Sequence, residues 1–102
     1  MESQKIKIKN IINSKVADDA KNGDKVLREI KANAETYNDI VLDFDEIELA
    51  DTAFLNNAIG KLFDKDVFNL EECTVKVRNM NTSMMELLKE TIMLAQQKYI
   101  IK

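Results

Sequence analysis

A hydroxyl group and several carboxylates lie close together in one segment of the chain and could do chemistry there. Asp51 and Thr52 precede a stretch of apolar residues at helical spacing, which predicts that a helix begins at this point. A phosphate on Thr52 would meet the free backbone N–H groups and the positive dipole of the helix N-terminus, so Thr52 is a candidate phosphoacceptor. Alternatively, Asp51 or Thr52 only caps the helix, which is worth about 1 kcal/mol. Together with Asp45 and Asn56, these residues form the candidate partner-binding site.

The acidic residues Asp43, Asp45 and Asp51 offer a second chemistry, because carboxylate oxygens are hard ligands that suit Mg²⁺. They follow a predicted buried strand, and open α/β sheets bind ligands beyond the carboxyl ends of their strands. The chain has only two glycines, Gly23 and Gly60, so it lacks the clustered glycines of a phosphate-binding loop. Solvated turn acids are therefore the default interpretation, and no metal ligand is assigned. A nucleotide- or Mg-sensing domain is the alternative function.

The composition excludes catalysis that depends on histidine. The chain has no histidine, so Ser-His and Cys-His catalytic pairs and His-ligated zinc sites cannot form. Its single cysteine, Cys73, cannot make an intrachain disulfide. Cys73 is a redox switch or, by default, a small apolar residue at the start of a strand. We therefore expect a protein that is not an enzyme and uses no cofactor.

Charge and hydropathy restrict the partners. The 102 residues include 15 basic and 18 acidic side chains, a net charge of -3, whereas nucleic-acid binders usually show a basic excess. No apolar run approaches the ~20 residues that span a bilayer. No signal-peptide pattern opens the chain. We expect a cytoplasmic protein that binds neither nucleic acid nor membrane.

Strands and helices alternate along the sequence. Alternating β-branched residues predict strands, and apolar residues at three- and four-residue spacing predict helices. Residues 13–22 are predicted as a loop or a short helix, and Ile47 and Leu49 are expected to point inward. The pattern predicts one α/β domain over 1–102, with a mixed sheet of about four strands flanked by helices. The predicted elements are a strand over 5–12, a helix over 24–36 that Asp24 caps after Gly23, a strand over 39–44, a helix from Asp51, a strand over 73–77, and a helix over 83–98 with a Ser83–Glu86 capping box.

The predicted last helix is apolar around more of its circumference than one packing face requires. Met84 and Leu88 belong to a core-facing stripe, while Leu87 and Leu94 form a second seam. That seam is covered either inside the molecule or by a partner, and methionine-rich surfaces adapt to several partners. Met84, Leu87 and Leu94 are therefore the candidate interface residues. A homodimer, or a self-assembling structural subunit joined through this helix, is the corresponding alternative function.

The segment from Ile40 to Leu55 resembles a pattern of STAS domains, which occur in anti-sigma factor antagonists and anion-transporter tails. A strand ends in Leu-Asp-Phe at Asp43, and a second aspartate, Asp51, follows eight residues later. Thr52 stands where the family has serine. In phosphorylated members a glycine follows shortly after the serine, whereas this chain continues with Ala53. The match therefore concerns the fold more than the phosphorylation motif.

The resemblance extends over about residues 24–96 and is closer to a group of bacterial STAS-like domains of unknown function. It implies a STAS-like α/β fold and a non-enzymatic regulatory module that works in signalling by binding another protein. The implied partner is a kinase-like ATPase or an anti-sigma factor, bound around Asp51 and Thr52. The further residues that carry the similarity are Gly23 before the first helix, Ala53, Phe54 and Gly60 in the second, Thr74–Asn79 as the next strand and loop, and Met84–Leu94 as the last core helix.

Overall fold

In the computed structural model, which describes residues 3–101, the chain forms four α-helices and two sheets of parallel strands. Strands and helices alternate along most of the chain. This arrangement confirms the predicted α/β class. A 3₁₀ turn over Gly60–Phe63 follows the third helix, and a π-helical turn over Gln97–Ile101 extends the fourth. The strands and α-helices are β1 (Gln4–Lys7), α1 (Ile8–Ile12), β2 (Val16–Ala17), α2 (Ala20–Ala34), β3 (Asp39–Asp43), β4 (Leu49–Ala50), α3 (Thr52–Ala58), β5 (Thr74–Arg78) and α4 (Thr82–Gln96).

The larger sheet has the strand order β1-β3-β5, and its strands run parallel. Its register aligns Ile6 with Leu42, and Leu42 with Val77. The connections contain helices, which return the chain to the same end of the sheet before the next strand begins. The sequence predicted one mixed sheet of about four strands. The described strands instead form a three-stranded and a two-stranded parallel sheet, because the short strands β2 and β4 pair with each other.

One face of the larger sheet carries the hydrophobic core. Ile40 and Leu42 of the central strand are fully buried there. Phe44, directly after β3, meets Phe54 of α3 edge to face, with ring centroids 6.4 Å apart. This contact anchors α3 against the carboxyl end of the central strand. The helices add further buried residues to the same core, which are Val26, Leu27, Ile30, Leu55, Ala58, Met84 and Leu88.

The predicted first strand is too long. It ends at Lys7, and Ile8–Ile12 form the helix α1. Ile8 and Ile12 are both buried and stand four residues apart, so helical spacing places them on one face against the core. Asn13 ends this helix in the left-handed conformation with φ of 55°. In the sequence, the alternating isoleucines are compatible with a strand as well as with a helix. The helix forms because it packs both Ile8 and Ile12 against the core.

The second helix begins earlier than predicted. Asp19 caps α2, so the assignment of Asp24 as its cap is wrong. Gly23 lies inside the helix and does not interrupt it. A Cβ atom at Gly23 would stand 2.6 Å from the backbone oxygen of Phe54, which shows how closely α2 and α3 approach. The glycine therefore serves helix packing rather than a turn.

The last helix starts at Thr82, and its cap is Asn81 rather than Ser83. Asn81 Oδ1 accepts a hydrogen bond from the backbone N–H of Met84 at 2.9 Å. The predicted capping box is therefore wrong, and the N-cap lies two residues before Ser83. The strands at Asp39–Asp43 and Thr74–Arg78 and the helix that starts after Asp51 are confirmed. In the described residues, no helix is both long enough and apolar enough to cross a membrane.

Candidate functional site

The carboxylate of Asp51 fixes the N-terminus of α3. Its Oδ1 accepts a hydrogen bond from the backbone N–H of Phe54 at 2.8 Å, which is the geometry of an N-cap. Its Oδ2 accepts a hydrogen bond from the backbone N–H of Asp19 at 3.2 Å. The backbone N–H of Asp51 donates to the carbonyl oxygen of Ala17 at 3.0 Å. One side chain therefore joins the start of α3 to the start of α2, and the predicted cap at Asp51 is confirmed.

Asp19 completes this junction from the side of α2. Its φ is 77°, in a region that residues other than glycine rarely adopt. Its side chain accepts a hydrogen bond from the backbone N–H of Lys21 at 3.2 Å. One turn further along, the amide of Asn57 donates to the backbone oxygen of Ala20 at 3.3 Å and to Asp24 at 3.0 Å. Hydrogen bonds thus hold the two helix starts side by side as a firm base.

Thr52 and Asn56 lie on α3, next to these hydrogen-bonded helix starts, and their side chains are exposed. They are four residues apart in α3 and therefore share one face of the helix. The intervening Phe54 and Leu55 are fully buried, which fixes the rotation of the helix about its axis. The structure therefore brings Asp51, Thr52 and Asn56 together on one short, firmly packed helix.

Leu49 adds an exposed apolar side chain two residues before Asp51. The expectation that Ile47 and Leu49 both point inward is correct for Ile47, which is buried, and wrong for Leu49, which is 62% exposed. Leu49 belongs to the two-residue strand β4, which among residues 3–101 pairs with β2 and not with the larger sheet. With Leu87 of α4, Leu49 lines a cavity of about 310 Å³. Such an exposed leucine is a feature that the sequence pattern did not predict.

Asp45, the fourth predicted site residue, belongs to a different set of hydrogen bonds from Asp51. Its side chain is exposed, and its backbone N–H donates to Asp43 Oδ1 at 3.0 Å. The next residue, Glu46, has φ of 69° and forms salt bridges with Lys7 at 2.8 Å and Lys9 at 2.9 Å. Hydrogen bonds and charge from these two lysines lower the pKa of Glu46 to about 2. These bonds tie the loop to the N-terminal segment, and no hydrogen bond within residues 3–101 joins Asp45 to Asp51 or Thr52.

Asp43 is a structural carboxylate at the end of the central strand. It is 3% exposed. Its Oδ1 accepts hydrogen bonds from the Asn79 side chain at 2.8 Å and from the Asp45 backbone, and its Oδ2 stands 3.3 Å from Lys5 Nζ. Burial raises the pKa of Asp43, but the three donors and the lysine charge outweigh burial and hold the pKa below its ordinary value. Both oxygens of Asp43 are therefore already engaged within the protein. Across the part of the chain that the structure describes, no group of three His, Cys, Asp or Glu side chains could hold a metal ion.

The predicted interface residues differ in their exposure. Met84 is 2% exposed and packs in the core with Leu88, so its assignment to an interface is corrected. Leu87 is half-buried against the core, and Leu94 is 48% exposed. Leu94 lines a second cavity, of about 300 Å³, together with Asn56 of α3. The exposed seam of α4 therefore runs beside the candidate site on α3.

Sequence reasoning did not predict the roles of three residues that shape this region, namely Asp19, Leu49 and Asn79. A signal for Asp19 was present, since an aspartate directly before Ala20 and Lys21 is a typical N-cap pattern. Asn79 has φ of 64°, and asparagine is among the few residues that tolerate the left-handed region. No local pattern reveals that it reaches the buried Asp43, because the two are 36 residues apart.

The family model described as STAS-like domain of unknown function (DUF4325) matches residues 22–85. The chain has no significant match among curated proteins or among solved structures. The matched residues include most of α2, the central strand β3, the Asp51–Thr52 helix start and β5. Because the match covers more than half of the chain, the protein belongs to the family of STAS-like domains of unknown function.

Proposed function

We propose that this chain is a non-enzymatic regulatory module that binds a partner protein through the N-terminus of α3. The observation that carries the proposal is the exposed pair Thr52 and Asn56 on a helix that Asp51 fixes in place. By family resemblance, the partner is a regulatory protein of the kinase-like ATPase or anti-sigma type.

The firm base of this surface favours binding. A partner that docks on Thr52 and Asn56 meets side chains on a helix whose backbone is already ordered, so association costs little further conformational entropy. Leu49 supplies an exposed apolar group two residues before Asp51. Protein interfaces typically combine polar groups with a few buried apolar anchors that contribute most of the binding energy.

Thr52 is also suited to act as a switch. Phosphorylation would add about −1.5 to −2 charges at neutral pH. That charge would lie at the start of α3, beside the carboxylate of Asp51. A partner that contacts the uncharged hydroxyl would lose this contact and meet an enlarged negative charge. Modification of Thr52 is therefore expected to change affinity without unfolding the domain.

The non-enzymatic part of the proposal is supported by the side chains available. The chain has no histidine to act as a general base near neutral pH. Its one thiol, Cys73, is buried, and burial raises the pKa of that thiol. A thiol with a raised pKa is a poor nucleophile.

Affinity capture from the native cells with the immobilised chain tests the proposal. The wild type is compared with Thr52→Asp, which adds charge, and with Thr52→Ala, which removes only the hydroxyl. We expect a partner that the wild type retains and that Thr52→Asp retains much less. Direct titration of the purified partner then gives the change in affinity, expected to be on the order of tenfold or more, equivalent to about 1.4 kcal/mol.

Thr36→Asp is the matched control, because Thr36 is also exposed but follows the C-terminal end of α2. It should bind the partner like the wild type. Equal affinity of the wild type and Thr52→Asp for every retained protein would refute recognition at Thr52.

A further inference from the structure

Three large apolar side chains remain exposed on the C-terminal part of α4 and the turn that follows it. Met93, Leu94 and Ile100 are 51%, 48% and 54% exposed. Leu88 and Ala95 lie on another side of the helix and are buried. Removing apolar surface from water gains about 25 cal/mol per Å². This face of α4 is therefore favourable for an interface.

Two opposite charges flank the apolar face. Glu90 lies four residues before Leu94 and Lys98 lies four residues after it, so each stands about one helical turn from the leucine on the same side. Both side chains are exposed, and neither forms a salt bridge with another of residues 3–101. The ammonium group of Lys98 lies 5.2 Å from the ring centroid of Tyr99. When a second copy of this helix runs in the opposite direction with its leucine against Leu94, its base faces the acid of the first copy and its acid faces the base.

We propose that this face binds a second copy of the chain, with the two α4 helices antiparallel about a twofold axis near Leu94. The axis places Leu94 against Leu94 of the partner subunit. It also places Glu90 against Lys98 of the partner subunit, and symmetry forms the same pair a second time. A parallel arrangement would place like charges together. The order of acid, leucine and base therefore selects the antiparallel dimer.

A depression next to Leu94 gives the face a shape that a second copy can fill. It has a volume of about 300 Å³, lies between α3 and the end of α4, and includes Lys61 and Tyr99 in its wall. The depression adjoins the Leu94 contact, so the dimer combines apolar contact there with two charge pairs. It does not depend on whether Thr52 recognises a regulatory partner.

The molar mass of the full chain over a dilution series, from light scattering or sedimentation equilibrium, tests the dimer. Glu90→Lys and Lys98→Glu each turn both attractive pairs into repulsive ones, so each is expected to raise the dissociation constant on the order of tenfold. The double variant Glu90→Lys/Lys98→Glu restores opposite charges in both pairs and should recover the affinity of the wild type. Leu94→Glu should leave only monomer.

Lys25→Glu is the matched control, because Lys25 is exposed on another helix, α2, where it lies beside β1 and α1 rather than on α4. It changes the net charge as Lys98→Glu does and should not weaken the dimer. Circular dichroism shows whether each variant keeps the helical content of the wild type. A wild-type chain that stays monomeric at its highest soluble concentration overturns the proposal. A dimer that the double variant fails to restore overturns the antiparallel register about Leu94.

Discussion

Asp51 and Asp19 cap two different helices, and one carboxylate oxygen of Asp51 accepts the backbone N–H of Asp19 at 3.2 Å. The other oxygen of Asp51 caps its own helix at Phe54. The aspartate of the candidate site is therefore also a structural link between α2 and α3. Loss of this link should affect the stability of the domain as well as the presentation of Thr52.

Replacing Asp51 with alanine should lower the free energy of unfolding by about 1–2 kcal/mol, because it removes the cap of α3 and the acceptor for Asp19. Asp51→Asn should cost less, since its amide oxygen can still accept the N–H of Phe54. Thr52→Ala should stay within about 0.5 kcal/mol of the wild type, as for most exposed positions. Urea unfolding followed by circular dichroism measures all three. If Asp51→Ala lowered the free energy of unfolding no more than Thr52→Ala does, the role of Asp51 as a structural link between α2 and α3 would be contradicted.

Alanine at Gly23 should destabilise the domain by about 1–3 kcal/mol, as overpacking does in well-packed interiors. The added Cβ would stand 2.6 Å from the Phe54 backbone oxygen and 2.8 Å from Asn57 Cβ, so α2 and α3 would have to separate. Helix propensity favours alanine by about 1 kcal/mol at such a position, so a measured loss would come from packing. The midpoint of thermal or urea unfolding gives the value.

Gly60→Ala is the matched control for Gly23→Ala. The nearest atom to its added Cβ would be Asn56 Oδ1 at 3.6 Å, which is an ordinary contact. The substitution should therefore be neutral or stabilising by up to about 1 kcal/mol. Equal losses from the two substitutions would mean that the close approach of α2 and α3 does not limit the residue at position 23.

The central part of the fold could be predicted from the sequence because local pattern and burial agree there. The apolar run that ends at Asp43 gives the buried strand β3, and Asp51 before an apolar helical stripe gives the start of α3. These two features also support the resemblance to STAS domains. The family match over residues 22–85 includes both.

The remainder depends on contacts between residues that are distant in sequence. The segment at Ile8 alternates as a strand does, but burial of both Ile8 and Ile12 selects a helix. In the sequence, Gly23 resembles a break between elements, but in the structure it lies inside α2, where α3 approaches too closely for a larger residue. The exposure of Leu49 follows from the pairing of β4 with β2, which no local periodicity encodes.

Acid should destabilise the domain in part through Asp43. The pKa of Asp43 is lowered in the folded state, so its contribution to stability is complete above the unfolded pKa of about 3.9 and is lost as the pH falls through the folded value. Asp43→Asn removes this titration and should flatten the dependence of the unfolding free energy on pH below about pH 4. Urea unfolding at a series of pH values between about 6 and 2 tests this.

Asn79→Ala provides an independent check on the Asp43 carboxylate. It removes the 2.8 Å hydrogen bond to Oδ1 while leaving Asp43 in place, so the pKa of Asp43 should rise toward its ordinary value. The acid-dependent loss of stability should then be smaller than in the wild type. A pH profile of Asp43→Asn that runs parallel to the wild-type profile would show that the loss arises elsewhere, for example at Glu46.

Cys73 should react slowly with thiol reagents in the folded protein. Its side chain is buried, and burial together with the charge of Asp39 raises the pKa of the thiol. Alkylation therefore requires local opening, and an opening that costs only about 1.4 kcal/mol already slows the reaction tenfold. We expect modification by iodoacetamide at neutral pH to be at least about tenfold faster in urea than in buffer.

The double variant Cys73→Ser/Ser83→Cys moves the only thiol of the chain to an exposed position in the first turn of α4. A thiol near a helix N-terminus has a lowered pKa, so this variant should react rapidly in buffer and gain little from urea. Mass spectrometry of quenched samples gives both rates. If native Cys73 reacts as fast as the exposed thiol, the cysteine is accessible and its interpretation as a core residue fails. A slow native reaction that urea accelerates supports packing rather than redox switching as its role.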